Sequence, residues 1–486
     1  MGLLTWFGRR REVQVQRVSR RRYDAAQADW AAYWRASTAT PHREIAHDLD
    51  TLRARARDLE RNRPYGRRIL DAMVDALVGT GIRPTVDGAP AALYDLWTAW
   101  GRACVSGARI GYSGAIALAV RTWLRDGEVL IRLRTRYPTD MPGLPPLQLQ
   151  LIEADHLPVE LDQDLPGGRT IRSGIEFDPI GRVAAYHLLR EHPGSGRPSR
   201  ETIRVPADEI IHLYLPERPG QIRGVPILAS AILPIWDLSS ALEAVRVSFR
   251  GSSTIVAVVE GGSQEAGIAP DGIAEERDGP DPVTDAAGRA IEGLQPGLVI
   301  YAPDGRQVRI HQPQPPQGLT DYCRAMLREI AASVGLSYHV LSGDMSDASF
   351  ACAKLGLLAQ QQRMDVLRET VIVPSLLDPI WSAYLDHAQA AGLLRVQEPW
   401  RRVRWSRPAY PTADRYQEAR ATLLEIRSGL RSRTSAIEAM GRDPDEVDAE
   451  IAADAARADR LGLILDSDPR RTTLAGSAAM HEEVQP

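Results

Sequence analysis

Lysine is nearly missing from this chain of 486 residues: of its 59 basic side chains only Lys354 is a lysine. A GC-rich genome would favour arginine in this way, and arginine's planar fork also suits subunit contacts and phosphates. Cysteine is scarce too. Cys104, Cys323 and Cys352 lie far apart and form no C-x-x-C pair, which excludes a disulfide scaffold and fits a reducing compartment. Excess charge is also lacking: the net value is -4. A tight, sequence-general DNA binder is usually strongly basic, so a DNA-coating role is excluded, whereas a surface that DNA slides past is not. The longest apolar run, residues 225–236, is too short to span a bilayer and holds Pro226 and Pro234, so no membrane contact is expected. At the start, a short apolar patch precedes Arg9-Arg10-Arg11; that order is not a secretory signal. A soluble protein, intracellular when made, is the expectation.

Catalytic motifs are lacking as well. There is no GxGxxG, no P-loop and no GxSxG. His187 and His192 are five apart, as are His42 and His47; neither helix nor strand geometry turns such a pair toward one ion. Asp155-His156 reads as a polar turn after a strand. His339 and Cys352 are the remaining thought for a nucleophile and base, without any local protease-like motif. No catalytic residue, cofactor or metal is expected.

What is present is the composition of an ordinary folded protein, 44% apolar and 25% charged, long enough for two to four domains. Residues 1–70 hold sixteen Arg against eight acids. Leu49, Leu52, Ala56 and Leu59 recur at near-helical spacing. The basic run, with Arg20-Arg21-Arg22 and Arg53, Arg55 and Arg57, therefore reads as a solvated helix face or an arm for nucleic acid or a partner. Asn62 is expected to cap a second helix, with Pro64 in its first turn and Ile69, Met73 and Leu77 on one side. Helices follow over 91–105 and 113–124. After Asp126-Gly127 the period changes. Val129, Ile131 and Leu133 alternate with Leu130, Arg132 and Arg134, the pattern of a half-buried strand, and Leu147, Leu149 and Leu151 repeat it. Residues 175–189 read as a hairpin around Asp178-Pro179-Ile180-Gly181, and 203–214 as one or two strands. The order is α+β, not βαβ alternation.

Helical patterning returns over 227–250, followed by a β-branched run over 254–259. Residues 265–285 hold seven acids and one Arg and read as a loop excursion. A hairpin turning at Asp304-Gly305 is expected over 298–310. Tyr322, Met326, Ile330 and Val334 recur every fourth residue of a helix over 319–334, with Arg324 and Arg328 on another face. A long helical pattern over 354–391 is kinked by Pro374 and Pro379. Asp443-Pro444-Asp445-Glu446 is a capping box, and the chain from about 472 reads as disordered. Between two long helices lies Ser337-Tyr338-His339-Val340-Leu341-Ser342-Gly343-Asp344-Met345-Ser346, a polar loop of the kind that touches something.

Six segments, in order, resemble the lambda family of tailed-phage portal proteins. They are Arg61-Asn62-Arg63-Pro64-Tyr65-Gly66 running on to Val78-Gly79-Thr80-Gly81-Ile82-Arg83-Pro84; Asp126-Gly127-Glu128; Leu151-Ile152-Glu153-Ala154-Asp155; Arg218-Pro219-Gly220-Gln221-Ile222-Arg223-Gly224-Val225-Pro226; Leu294-Gln295-Pro296-Gly297; and Ile330-Ala331-Ala332 through Gly335-Leu336-Ser337-Tyr338 to Gly343-Asp344-Met345-Ser346. The stretch Ser349-Phe350-Ala351-Cys352-Ala353-Lys354, and the region of Pro411, Asp414 and Glu418, follow the family pattern only in part.

The resemblance implies a structural protein without an active site, a dodecameric ring at one capsid vertex around a channel for double-stranded DNA. Its implied partners are terminase, head-completion and tail connector proteins, and the major capsid and scaffolding proteins. Its place is the virion, after assembly in the host cytoplasm. The implied portal-type fold maps onto the chain as a basic helical arm (1–60), an α+β wing (61–226), stem helices (227–250 and 319–335), a clip with the acidic loop (251–318), a channel loop (336–353), a kinked wing helix (354–392), a helical crown (393–471) and a disordered tail (472–486). The loop residues Ser342, Gly343, Asp344, Ser346, Asp347 and Ser349 are then expected at the channel wall. Lys354, Arg324 and Arg328 are expected to touch passing DNA, or else to be plain helix-surface cations. Glu265, Asp271, Glu275, Glu276, Asp278, Asp281 and Asp285 of the clip are expected to meet terminase or connector. Another head–tail adaptor or tail protein is the alternative, and a hydrolase using His339 and Cys352 a further one.

Overall fold

The computed structural model describes residues 37–260 apart from 108, 197 and 198, then 298–302, 318–346, 349–406, 408, 414–463 and 465; over 251–260 and 298–302, and at 350, it describes the backbone alone. Helices α1 (Pro41–Asn62) and α2 (Pro64–Leu77) meet at an elbow on Arg63, whose backbone is extended. Pro64 occupies the first turn of α2, where its missing N–H leaves nothing unpaired. Asn62 is not the cap expected of it. It closes α1, its side-chain amide donating to Asp58 at 2.6 Å, because extended Arg63 already takes the cap position. A short strand β1 (Pro84–Thr85) leads to α3 (Ala91–Ala103) and α4 (Tyr112–Asp126). These helices bury Ile69, Met73, Leu77, Trp100, Ile116 and Val120 in the main core.

Three strands, β2 (Glu128–Thr135), β3 (Leu147–Glu153) and, later in the chain, β9 (Ile210–Tyr214), form an antiparallel sheet in the order β3-β2-β9. Between β3 and β9 the chain makes a second antiparallel sheet in sequence order. Its strands are β4 (Gln163–Asp164), β5 (Thr170–Arg172), β6 (Ile175–Phe177), β7 (Val183–Leu189) and β8 (Thr202–Pro206). One face of the first sheet sets Val129, Ile131, Leu149 and Leu213 against the helices. The other sets Leu130, Ile152 and Ile210 against Ile175, Tyr186, Leu188 and Val205 of the second sheet. The expected half-buried strand is thus buried on both faces over its first half, since a sheet covers the side read as solvent-facing. The α+β order stands.

Helix α5 (Ile232–Thr254) runs into β10 (Ile255–Glu260), which pairs with β11 (Leu298–Ala302). The pairing is parallel, so residues 298–302 return beside 255–260. Parallel neighbours need a long connection, and residues 261–297 supply the length. The rest of the expected hairpin, including Asp304-Gly305, lies outside the described residues. Helix α6 (Leu319–Val334) has the expected limits, and α7 (Tyr338–Ser342) is one short turn within the loop. Then come α8 (Phe350–Leu367), a widened π-helical stretch (Arg368–Leu377) and α9 (Asp378–Ala390). Pro374 sits in the widened stretch, while Pro379 falls in the first turn of α9 and breaks nothing. Strand β12 (Arg404–Trp405) pairs with β1. Trp97, Tyr112, Trp381 and Tyr384 make an aromatic nest; Trp97 lies 4.8 to 5.1 Å from the other three, centroid to centroid. Helices α10 (Arg415–Arg427), α11 (Arg433–Ala439) and α12 (Pro444–Leu461) follow. Asp443 caps α12, accepting from the backbone N–H of Asp445 at 2.8 Å, as its motif implied.

Candidate functional site

The loop between α6 and α8 is clamped at its base. Gly335, at φ 73°, ends α6. The Ser337 N–H donates to Gln360 Oε1 of α8 at 3.0 Å, and Arg68 Nε of α2 donates to the Val340 carbonyl at 3.0 Å. Gly343, at φ 69°, ends α7, and the chain then turns around one carboxylate. Asp344 accepts from Tyr338 Oη (2.9 Å), the Ser346 N–H (3.0 Å) and Ser346 Oγ (2.5 Å). The Ser346 bonds, then that of Tyr338, bring the Asp344 carboxyl down to about 2, with a smaller contribution from Arg324. This is an Asx-type turn that fixes the tip locally. Ser342 Oγ donates to the Tyr338 carbonyl, and Ser349 caps α8 by accepting from the Cys352 N–H at 3.2 Å. Asp347 lies outside the described residues.

The three cations expected to touch DNA all face partners within the chain. Arg324 donates to Ser346 Oγ at 3.2 Å and lies 3.6 Å from Asp344. Arg328 stacks over the Tyr338 ring at 5.4 Å. Lys354 lies 3.6 Å from Glu418 of α10. The structure thus brings Arg324, Asp344 and Ser346 together and places Lys354 in a separate contact. The seven clip acids, Glu265 through Asp285, lie outside the described residues. His339 Nδ1 is 2.9 Å from the Asp344 carbonyl, and among the described residues no hydrogen bond joins His339 to Cys352.

A second cluster was not legible in the sequence. The Glu128 carboxylate, fully buried, accepts from Arg223 Nε at 2.8 Å, His212 Nε2 at 2.9 Å and the Gly224 N–H at 2.9 Å, and it is paired with Arg53. Burial by itself pushes this carboxyl up; the charges of Arg223 and Arg53 overcome that and hold it well below the usual carboxylate range. Beside it, Arg57 bridges Asp126 (2.9 Å) and Asp155. Three of the six motif segments therefore meet here. Gly127 and Gly224 pack backbone to backbone, since a Cβ on Gly224 would lie 2.0 Å from the Gly127 carbonyl oxygen. Arg53 and Arg57 are neither a solvated face nor an exposed arm: Glu128, Asp126 and Asp155 draw them inward. The one hint was that Arg53 shares the helical row of Leu49 and Ala56.

Glu153, Asp155 and His192 bring ligand atoms within 4.8 Å of one another, yet they suit a metal poorly. Asp155 is held by Arg57. His192 Nδ1 accepts the Gly194 N–H at 3.0 Å, which leaves the ring proton on Nε2, the atom facing Glu153 at 3.3 Å. Among the described residues no helix is long and apolar enough to cross a membrane.

Residues 28–368 match the family model described as phage portal protein, lambda family. The probable portal protein of Halomonas phage phiHAP-1 is 26% identical over 462 residues, covering 90% of this chain and 86% of its own. Among solved structures, a chain in the virion of a native gene transfer agent particle aligns with 15% identity and a TM-score of 0.41, covering 82% of this chain and 97% of that one. A chain in the neck of a native gene transfer agent particle, of C12 symmetry, aligns with 14% identity and a TM-score of 0.40, over 81% and 92%.

Proposed function

Because this chain belongs to the lambda family of phage portal proteins, it is a portal protein of a phage-type particle, and we propose that its copies close into a dodecameric ring at one capsid vertex. Double-stranded DNA crosses the ring during packaging and ejection. Terminase docks first, and head-completion and tail connector proteins dock afterward. The observation that carries this reading is the span of the family match, 28–368, which takes in the wing, α5, α6 and the loop after α6. The ring assembles in the host cytoplasm, with capsid and scaffolding proteins as further partners. The acidic clip, Glu265 to Asp285, meets terminase and connector.

A closed ring needs two different flanks that fit head to tail. Exposed Leu233, Trp236 and Val247 on α5, and Leu355, Leu358 and Val366 on α8, offer two such apolar stripes. The channel must hold phosphates only loosely, because DNA moves both ways. Arg324 facing Asp344, and Lys354 facing Glu418, keep their cations near carboxylates, which weakens the field a phosphate meets at short range, within a Debye length of about 8 Å. Ring symmetry then repeats each such pair as a belt around the axis.

Negative-stain imaging of the purified chain tests the proposal. Closed rings with a central hole wide enough for a duplex are expected. A chain that stays monomeric alongside its scaffold and capsid partners overturns it, and a ring with too narrow a lumen favours a head–tail adaptor.

A further inference from the structure

The two sheets of the wing splay apart along one side and leave a cleft of about 340 Å3. Its floor is apolar, with Ile152 of β3, Leu188 of β7 and Ile203 and Val205 of β8, while Glu153, His156 and Arg190 also line the cleft, one acid among bases. Ile203 is 40% exposed. Strand β2 forms the wall. Its alternation carries one face from Leu130, sealed between the sheets, to Arg132 and then Arg134 where the sheets part. Across the strand pair, Arg132 stands opposite Gln150.

The neighbours of Arg134 are already engaged. Arg132 pairs with Glu209 at 2.7 Å, and Arg136 donates to Gln148 at 2.9 Å and Ser106 at 2.8 Å. Arg134 itself is half-buried and has no hydrogen bond or ion pair among the described residues. Loss of water, then the like charges of Arg132 and Arg136, pull its pKa down, and the smaller opposing pull of Glu209 does not offset them. A guanidinium drawn partly out of water, between two others and near only a carboxylate already paired with Arg132, is short of an anion. The Gln150 side chain, also half-buried, donates to nothing among the described residues.

The shape of the cleft decides which anion. A space of about 340 Å3 admits a few side chains and not a DNA duplex. Its apolar floor offers nothing to a bare phosphate. A carboxylate with an aliphatic side chain next to it satisfies both the wall and the floor. We propose that this cleft docks an acidic segment of a partner protein, with a Glu or Asp carboxylate taken by Arg134 and Gln150 while a neighbouring aliphatic side chain covers Ile203. Arginine's planar fork matches a carboxylate with two parallel hydrogen bonds. The site lies on the wing, and the inference does not depend on the ring.

The test uses the full chain and a short fluorescent peptide of alternating leucine and glutamate, followed by anisotropy. The peptide is expected to bind. Arg134→Gln is expected to weaken it by about tenfold or more, the loss of one charge-assisted contact. Ile203→Asp, at an exposed position, is expected to weaken it as well, and a leucine–glutamine peptide is expected not to bind. Unchanged affinity in Arg134→Gln, equal binding of the uncharged peptide, or displacement of the peptide by a short DNA duplex would each overturn the proposal. Particle images of Arg134→Gln keep the two readings apart: normal rings with unaltered peptide binding remove the cleft and leave the portal reading standing.

Discussion

Arg223 grips a single oxygen of Glu128 with two nitrogens, Nε at 2.8 Å and Nη2 at 2.6 Å, and neither side chain touches solvent. The same guanidinium donates to the carbonyls of Ser173 at 3.0 Å and Leu157 at 3.1 Å. One side chain therefore ties β2 to the loops of the second sheet. Arg223→Met should leave the Glu128 charge short of its main partner, and breaking a buried pair in this way costs about 3–5 kcal/mol. A large fall in the thermal midpoint is the expected outcome; a midpoint equal to wild type would show that the cluster is not what holds the two sheets together.

The same carboxylate sets an acid limit. Its folded pKa lies below the unfolded value of about 4.3. The stability it contributes is therefore complete above about pH 5 and is lost as pH falls through the folded value. Urea midpoints at neutral pH and at a pH well below about 4 should diverge for the wild type. In Glu128→Gln they should lie low and change less over the same range, because the group that titrates is gone.

Two glycine substitutions should behave oppositely. Gly224→Ala puts a methyl group 2.0 Å from the Gly127 carbonyl oxygen, and the expected product is insoluble or misfolded protein. Gly343 has φ +69° with nothing within 4 Å of a Cβ, so Gly343→Asn should cost about 1 kcal/mol or less, because Asn tolerates the left-handed region. Soluble yield and circular dichroism distinguish the two.

Asp344→Asn removes the negative charge that faces Arg324. The loop then presents more net positive charge, and duplex binding to the assembled particle should tighten at low salt. The plot of log affinity against log salt should steepen by roughly 0.9 for each phosphate newly neutralised. An unchanged slope would place Asp344 away from the duplex. Faster amide exchange at Ser346, whose N–H Asp344 accepts, checks the loop's local order independently.

Local pattern was easy to read and long-range pairing was not. The limits of α6 followed from a repeat of four and a terminal glycine, and the cap on Asp443 from its motif. Those signals sit within one or two turns of the chain. Arg53 meets Glu128 across 75 residues, and nothing near Arg53 announces a carboxylate that arrives from another element. The parallel pairing of β10 with β11 spans a gap of the same kind, so a local hairpin was the nearer reading. At the loop, the family resemblance singled out Asp344 as a polar residue of a channel wall. What it did not announce are the bonds that carboxylate accepts from Tyr338 and Ser346, a geometry set by two serine bonds and a tyrosine that composition alone does not rank.

The widened turns at Arg368–Leu377 work as a phase shifter in what is otherwise one continuous rod. The Asp378 N–H reaches five residues back to the Val373 carbonyl, so the azimuth of α9 is decoupled from that of α8. Arg368 pins the entry to this stretch by donating to the last carbonyls of α2, Ala76 at 2.9 Å and Leu77 at 3.2 Å. Upstream, the rod can be aimed for the loop it carries; downstream, it can be aimed independently for the aromatic nest of Trp381 and Tyr384. A one-residue insertion, which would misalign every later side chain of an ordinary helix, meets its natural sink there.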